Sequence, residues 1–165
     1  MNKPKKVVLI GHFGVGKSSL IRRFVQNEFS DDYMVTIGVH IFKKDVIINK
    51  ENYTLVIWDT EGKETIKDVR EAYLMGTSGF IYVFDITRPS TYETIHEDLA
   101  FINQKYNHPP LMITANKFDL IDKKTSLVNL DNHQIKPDFF TSAKTGYLVE
   151  DLFAQLTKKM INDAR

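Results

Sequence analysis

Residues 11–18 read Gly-His-Phe-Gly-Val-Gly-Lys-Ser. Glycines at positions 11, 14 and 16 let the backbone fold so that several N–H groups point at one anion. A helix opening directly behind them adds the positive end of its dipole. In such a loop the Lys17 ammonium reaches the terminal phosphates of a nucleotide, and the Ser18 hydroxyl coordinates Mg²⁺. The expected phosphate-binding set is Gly14, Val15, Gly16, Lys17, Ser18 and Ser19. A chance glycine turn would need neither a strand before it nor a helix after it. Both are present in the pattern, which favours the phosphate loop.

Two later segments bear on the base. Asn116-Lys117-Phe118-Asp119 follows one apolar run, and Thr141-Ser142-Ala143-Lys144 follows another. Guanine presents N1–H and the N2 amine on one edge, and a single carboxylate at Asp119 can accept from both. Adenine offers no such donor pair. Asn116 can tie the two loops together or meet N7, the Ala143 N–H can donate to O6, and the Lys117 stem can cover the ring. Either segment alone is an ordinary polar turn after a strand. Together, behind a phosphate loop, they point to guanine.

The elements that must position these groups follow from hydrophobic spacing. Residues 7–10 (Val-Val-Leu-Ile) and 79–85 (Gly-Phe-Ile-Tyr-Val-Phe-Asp) are unbroken apolar runs, as in strands buried on both faces. Residues 17–27 carry Leu20, Ile21, Phe24 and Val25 on one helical face. Residues 39–48 and 53–58 flank the polar loop 49–52 and predict an antiparallel hairpin. Helices are expected over 65–76 (weaker), 90–106 with Ser90 and Glu93 as a capping box, and 148–161. Short strands are expected at 111–115 and 139–141, and residues 121–136 read as a short helix at most. This alternation predicts an α/β fold: a mostly parallel, doubly wound, six-stranded sheet with one antiparallel hairpin strand. Ligands then sit at the carboxyl edge of the strands.

Composition excludes much else. The chain has 165 residues, 42% hydrophobic and 26% charged, with a formal net charge of +1 and no cysteine. This is globular usage for one domain spanning residues 1–165. Disulfides, thiolate metal sites, cysteine nucleophiles and cysteine lipidation are excluded. Bulk attraction to nucleic acid is not indicated. The four-residue run 7–10 is too short for a signal peptide, and no stretch approaches a membrane span. The expectation is a cytoplasmic monomer.

With these motifs in hand, the chain resembles a Ras-superfamily small GTPase, most similar to the Rab branch. The resemblance runs along essentially the whole chain, through the phosphate loop, Tyr33-Met34-Val35-Thr36-Ile37-Gly38-Val39, Trp58-Asp59-Thr60-Glu61-Gly62, Asn116–Asp119 and Ser142–Lys144. Asn27-Glu28-Phe29, with Phe42 beyond the second run, is what suggests Rab. The resemblance implies a P-loop G domain that binds GTP or GDP with Mg²⁺. It implies that Thr36 and Asp59 join Ser18 around the metal, and that the Gly62 N–H and the Thr36 backbone sense the γ-phosphate. Phe29 would pack on the guanine, Tyr33 would close over the phosphates, and Ser142 and Lys144 would belong to the base site. Lys17, Thr36, Gly62 and the residue at 63 would take the catalytic positions. Effectors, an exchange factor and an activator would bind through residues 29–42 and 59–73. Recruitment would be to the cytosolic face of endomembranes, in vesicle traffic.

Three departures from the family pattern fall on the catalytic side. The family reads Asp-x-Ala-Gly-Gln where this chain has Asp59-Thr60-Glu61-Gly62-Lys63. The glutamine orients the attacking water, and a lysine ammonium has no acceptor for it. Glu61 sets a carboxylate beside the γ-phosphate, and Phe13 is bulky where relatives are small. Hydrolysis is therefore expected to be slow. Two further departures concern the edges: the sequence stops after its last helix without the family's lipidated tail, so that either the tail was removed, the domain is embedded in a longer chain, or the protein does not anchor itself; and the segment between Asp119 and Ser142 is short, so its helix is expected to be reduced. Two other readings stand beside the switch: a hydrolysis-deficient GTP-binding scaffold or G domain of a longer protein, and a small-molecule kinase. The kinase needs a second substrate site and lid arginines; the chain offers Arg22, Arg23, Arg70, Arg88 and Arg165 but shows no lid to carry them.

Overall fold

The computed structural model describes residues 4–32 and 34–163. Six strands form one sheet in the order β2-β3-β1-β4-β5-β6. β1 (Lys5–Ile10) lies parallel to both β3 (Glu51–Thr60) and β4 (Gly79–Asp85). β5 (Leu111–Asn116) and β6 (Phe139–Phe140) extend the parallel set, and β2 (Val39–Ile48) alone runs antiparallel, against β3. This is the expected α/β architecture.

Strand period 2 sorts the β1 side chains into two layers. Val7 and Leu9 join the core under α1 (Lys17–Gln26) and α5 (Val149–Asp163). Val8 and Ile10 join the core that includes Ile95 and Ile102 of α3 (Ile95–Lys105) and Leu130 of α4 (Lys123–Asn132). In the first layer the Phe24 and Phe153 rings stack at 3.9 Å, seating α1 against α5. Each such fully buried side chain contributes about 1.5–3 kcal/mol. Parallel pairing brings the ends of β1, β3, β4 and β5 to one edge, where Asp59, Asp85 and Asn116 emerge.

Four local expectations change. The hairpin turn is two residues, Asn49 and Lys50, both at positive φ (52° and 68°), because Glu51 and Asn52 pair with Ile48 and Ile47. Residues 65–76 are not one helix. A 3-10 turn at Ile66–Asp68 is separated from the four-residue α2 (Glu71–Leu74) by extended backbone at Val69. The turn is fixed against α3, since Asp98 Oδ1 accepts from the Thr65 hydroxyl (2.8 Å) and the Ile66 N–H (3.0 Å). The Ser90–Glu93 capping box does not form. Thr91 Oγ1 instead accepts from the Asp85 N–H (3.0 Å), which draws Pro89–Thr91 into a 3-10 turn and delays α3 to Ile95. Finally α4 is a full ten-residue helix, held by buried Ser126 and Leu130, rather than a reduced one. No helix among the described residues is long and apolar enough to cross a membrane.

Candidate nucleotide site

A cleft of about 310 Å³ opens along the carboxyl edge, between the loop after β1 and the loops after β5 and β6. Gly14, Gly16, Lys17, Ser18 and Ser19 wall one end. Asn116, Lys117, Asp119, Ala143 and Lys144 wall the other. Phe29, Thr36 and Gly62 close the sides. Val15, Asp59, Lys63 and Ser142 stand outside that wall, and Tyr33 lies outside the described residues.

At the loop end the chain turns into α1 through Gly16, whose φ is 100°. A Cβ there would lie 2.3 Å from Asn116 Nδ2, so both conformation and space require glycine. Lys17 is 5% exposed, and its Nζ donates to the Gly11 and His12 carbonyls at 3.0 Å each. Burial pulls its pKa down to about 8, partly opposed by the Asp59 charge. A buried ammonium held only by carbonyl oxygens suits an arriving anion.

Beside it three oxygen-bearing side chains converge. Ser18 Oγ donates to Asp59 Oδ2 (2.5 Å) and lies 2.7 Å from Thr36 Oγ1. Thr36 Oγ1 also reaches Asp59 Oδ2, at 3.4 Å. The other carboxylate oxygen, Asp59 Oδ1, is buried with no hydrogen-bond partner. Burial raises the Asp59 pKa, with the Ser18 bond and Lys17 acting against it. One carboxylate with an unmatched oxygen and two hydroxyls is a hard-donor set, suited to Mg²⁺.

At the other end Asn116 joins the loops. It is buried, its Nδ2 donates to the Val15 carbonyl (3.0 Å), and its Oδ1 accepts from Thr141 Oγ1 (3.3 Å) and the Ala143 N–H (3.4 Å). Ser142 Oγ donates to Asp119 Oδ1 (2.7 Å), fixing that carboxylate by one oxygen. Lys117 pairs with Asp85 at 2.9 Å, and Asp85 also faces the Arg88 guanidinium at 3.6 Å. Phe29 both borders the cleft and packs on the α1–α5 core.

The catalytic-side residues behave differently. Lys63 Nζ pairs with Glu61 Oε1 at 3.1 Å. Glu61 Oε2 accepts from the Gly38 N–H (3.4 Å), and the Glu61 N–H donates to the Gly38 carbonyl (3.0 Å). The Lys63 and Gly38 contacts hold the Glu61 carboxyl below its ordinary pKa. A Cβ on Gly62 would lie 2.4 Å from Phe13 Cα, so residue 62 must be glycine whatever side chain stands at 13. The Phe13 ring itself is half exposed at the rim, and its carbonyl accepts from Arg88 Nη2 at 2.7 Å.

A scan against family profiles matches residues 6–162 to the Ras family. The chain belongs to the Ras family. It is a Rab-like small GTPase by its relatives. Ras-related protein Rab-1 of Theileria annulata is 34% identical over 161 residues, covering 94% of this chain and 73% of the relative. Ras-related protein Rab-30 of Homo sapiens is 35% identical over 165 residues, covering 97% of this chain and 81% of the relative, and Rab-30 of Mus musculus matches equally.

Sequence reasoning missed three polar residues of this Rab-like chain. Asp85 and Arg88 brace Lys117 and Phe13, and Arg23 reaches the loop after β6. Asp85 carried a legible signal, a carboxylate ending a strand at the same edge as Asp59 and Asn116. Arg23 and Arg88 carried none, since each depends on a contact distant in sequence.

Proposed function

We propose that this Rab-like protein is a guanine-nucleotide switch that holds GTP or GDP with Mg²⁺ and hydrolyses GTP slowly. The observation that carries the reading is Asn116. One buried side chain bonds the phosphate loop at Val15 and the base loop at Ala143, beside a carboxylate, Asp119, braced by Ser142. Phosphate and base recognition are thereby set at opposite ends of one cleft.

In this reading Lys17 and the N–H groups of residues 14–19 take the phosphates, and Ser18, Thr36 and Asp59 hold the metal. Bound Mg²⁺ supplies charge neutralisation on the phosphate oxygens. Thr36 links the γ-phosphate to the segment 34–38, and the Gly62 N–H does the same for the segment after β3, so effectors would read both. Asp119 accepts from N1–H and N2, and Phe29 with the Lys117 stem covers the ring. The slow rate follows from Lys63. Its ammonium has no acceptor for the attacking water, and its charge is engaged by Glu61. The whole chain acts as one G domain, monomeric, in the cytoplasm and on the cytosolic face of endomembranes during vesicle traffic.

The test is equilibrium binding of GDP and ADP to the purified protein, with identification of the nucleotide it carries from the cell. GDP bound far more tightly than ADP is expected. Equal affinity would overturn the guanine reading. The same Glu61–Lys63 pair also favours a second reading, a GTP-binding scaffold with no turnover, which a single-turnover assay separates from the first.

A further inference from the structure

Arg23 lies about one and two-thirds turns beyond Lys17 on α1. Its Nε donates to the Ala143 carbonyl at 2.8 Å and its Nη2 to the Lys144 carbonyl at 2.6 Å. Nη1 is held by Asn27, with Oδ1 at 3.3 Å and the carbonyl at 3.5 Å. The loop wraps this side chain. Gly146 turns at φ 83°, its N–H donates to the Ser142 carbonyl (2.8 Å), and a Cβ there would lie 3.5 Å from Arg23 Cδ. A planar guanidinium offers donors in a fixed fork, which suits two successive carbonyls, whereas a lysine ammonium presents a point charge.

The peptide planes that Arg23 fixes are the two that follow the Ala143 N–H. That N–H has only a long bond to Asn116 Oδ1, at 3.4 Å, so Asn116 alone does not aim it. Asp119 is braced by a different side chain, the hydroxyl of Ser142 in the same loop. The two recognition atoms of the base end therefore rest on different supports.

We propose that Arg23 is a positioning residue for purine O6: it holds the Ala143 and Lys144 carbonyls so that the Ala143 N–H faces the base. The proposal rests on the guanine reading above. It assigns α1 a second task, since the helix that begins at the phosphates also sets the base loop. Because GDP and GTP share the base, loss of Arg23 accelerates release of both by the same factor. Because O6 alone is affected, discrimination against a nucleotide altered at position 6 falls, while discrimination at N2 survives.

The experiment measures release of GDP, GTP, IDP and 6-thio-GDP from wild type, Arg23→Ala and Arg23→Lys, with thermal unfolding as the fold control. IDP lacks the N2 amine, and 6-thio-GDP replaces O6 by sulfur while keeping N1–H and N2. Arg23→Ala should release GDP and GTP roughly tenfold faster, the scale expected for losing a charge-assisted hydrogen bond. Its preference for GDP over 6-thio-GDP should shrink severalfold, its preference for GDP over IDP should stay, and Arg23→Lys should recover part of the loss. Unchanged GDP release in Arg23→Ala overturns the proposal. So does an equal fall in both preferences, which describes general loosening, or an Arg23→Lys that recovers none of the loss. If Arg23→Ala fails to fold, Arg23→Lys carries the comparison alone, with a smaller shift of the same pattern. A wild type that does not retain GDP contradicts the guanine reading itself, a result separate from any effect of Arg23.

Discussion

The two ends of the cleft are organised in opposite ways. At the base end the groups proposed to meet the base are held loosely enough to turn to it: Ser142 engages one oxygen of Asp119, Arg23 engages the Ala143 and Lys144 carbonyls, and the Ala143 N–H makes only a long bond (3.4 Å) to Asn116. At the catalytic end Glu61 and Lys63 engage each other, 3.1 Å apart, and Glu61 also ties down Gly38. On the proposed reading, affinity and turnover reside in separate segments of one fold, so the first can be intact while the second is blocked.

The largest expected effect lies at the base end. Each charge-assisted hydrogen bond contributes about 1.5–3 kcal/mol, so Asp119→Ala, which removes two, should weaken GDP binding about 10²–10⁴-fold by titration. A change below threefold would mean that the base end does not supply the affinity, and the contrast would collapse.

The next prediction asks whether the catalytic end is merely poorly held. Asp98 is 2% exposed and takes the Ile66 N–H, the Thr65 hydroxyl and the Tyr82 hydroxyl (2.9 Å). Asp98→Ala leaves two buried donors, the Ile66 N–H and the Tyr82 hydroxyl, unmatched at about 1–3 kcal/mol each, a loss of about 2–6 kcal/mol in stability. The check is a denaturant midpoint that falls with unchanged slope. A small loss would make the catalytic end loose rather than well held and chemically blocked.

A third variant acts at the junction. Ser18 meets both Asp59 and Thr36, so Ser18→Ala, or chelation of the metal, should speed nucleotide release roughly 10–100-fold. GTP should be affected more than GDP, because in the proposed reading Thr36 is engaged only when the γ-phosphate is present. Identical release rates with and without a chelator would remove the metal from the account.

How much of this the sequence carried follows the same division. The strands were legible because Val7–Ile10 and Gly79–Asp85 are apolar without interruption, and the phosphate loop because glycine spacing and Lys17 are local. The break at Val69 was not legible, since it depends on Asp98 gripping Thr65 and Ile66 from α3. The late start of α3 was hidden for a similar reason: Thr91 turns toward β4 instead of letting Ser90 cap a helix. α4 was under-read because Leu127 and Val128 are exposed and only Ser126 and Leu130 face inward, which blurs its apolar stripe. In the cleft, Lys17, Ser18, Asn116 and Asp119 on its walls were readable, and the residues that brace its loops across the fold (Arg23, Asp85, Arg88) were not.

The central claim is that the Glu61–Lys63 pair, not weak binding, limits hydrolysis. The most direct measurement is single-turnover hydrolysis of preloaded GTP by wild type and by the double variant Glu61→Ala with Lys63→Gln. A glutamine that orients the water by one added hydrogen bond is worth about 1–1.5 kcal/mol, or roughly five- to tenfold in rate. The account predicts a slow wild type, a double variant faster by that factor, and GDP release unchanged between them. A wild-type rate equal to or above that of the double variant would contradict it and would make Lys63 a built-in cationic catalyst.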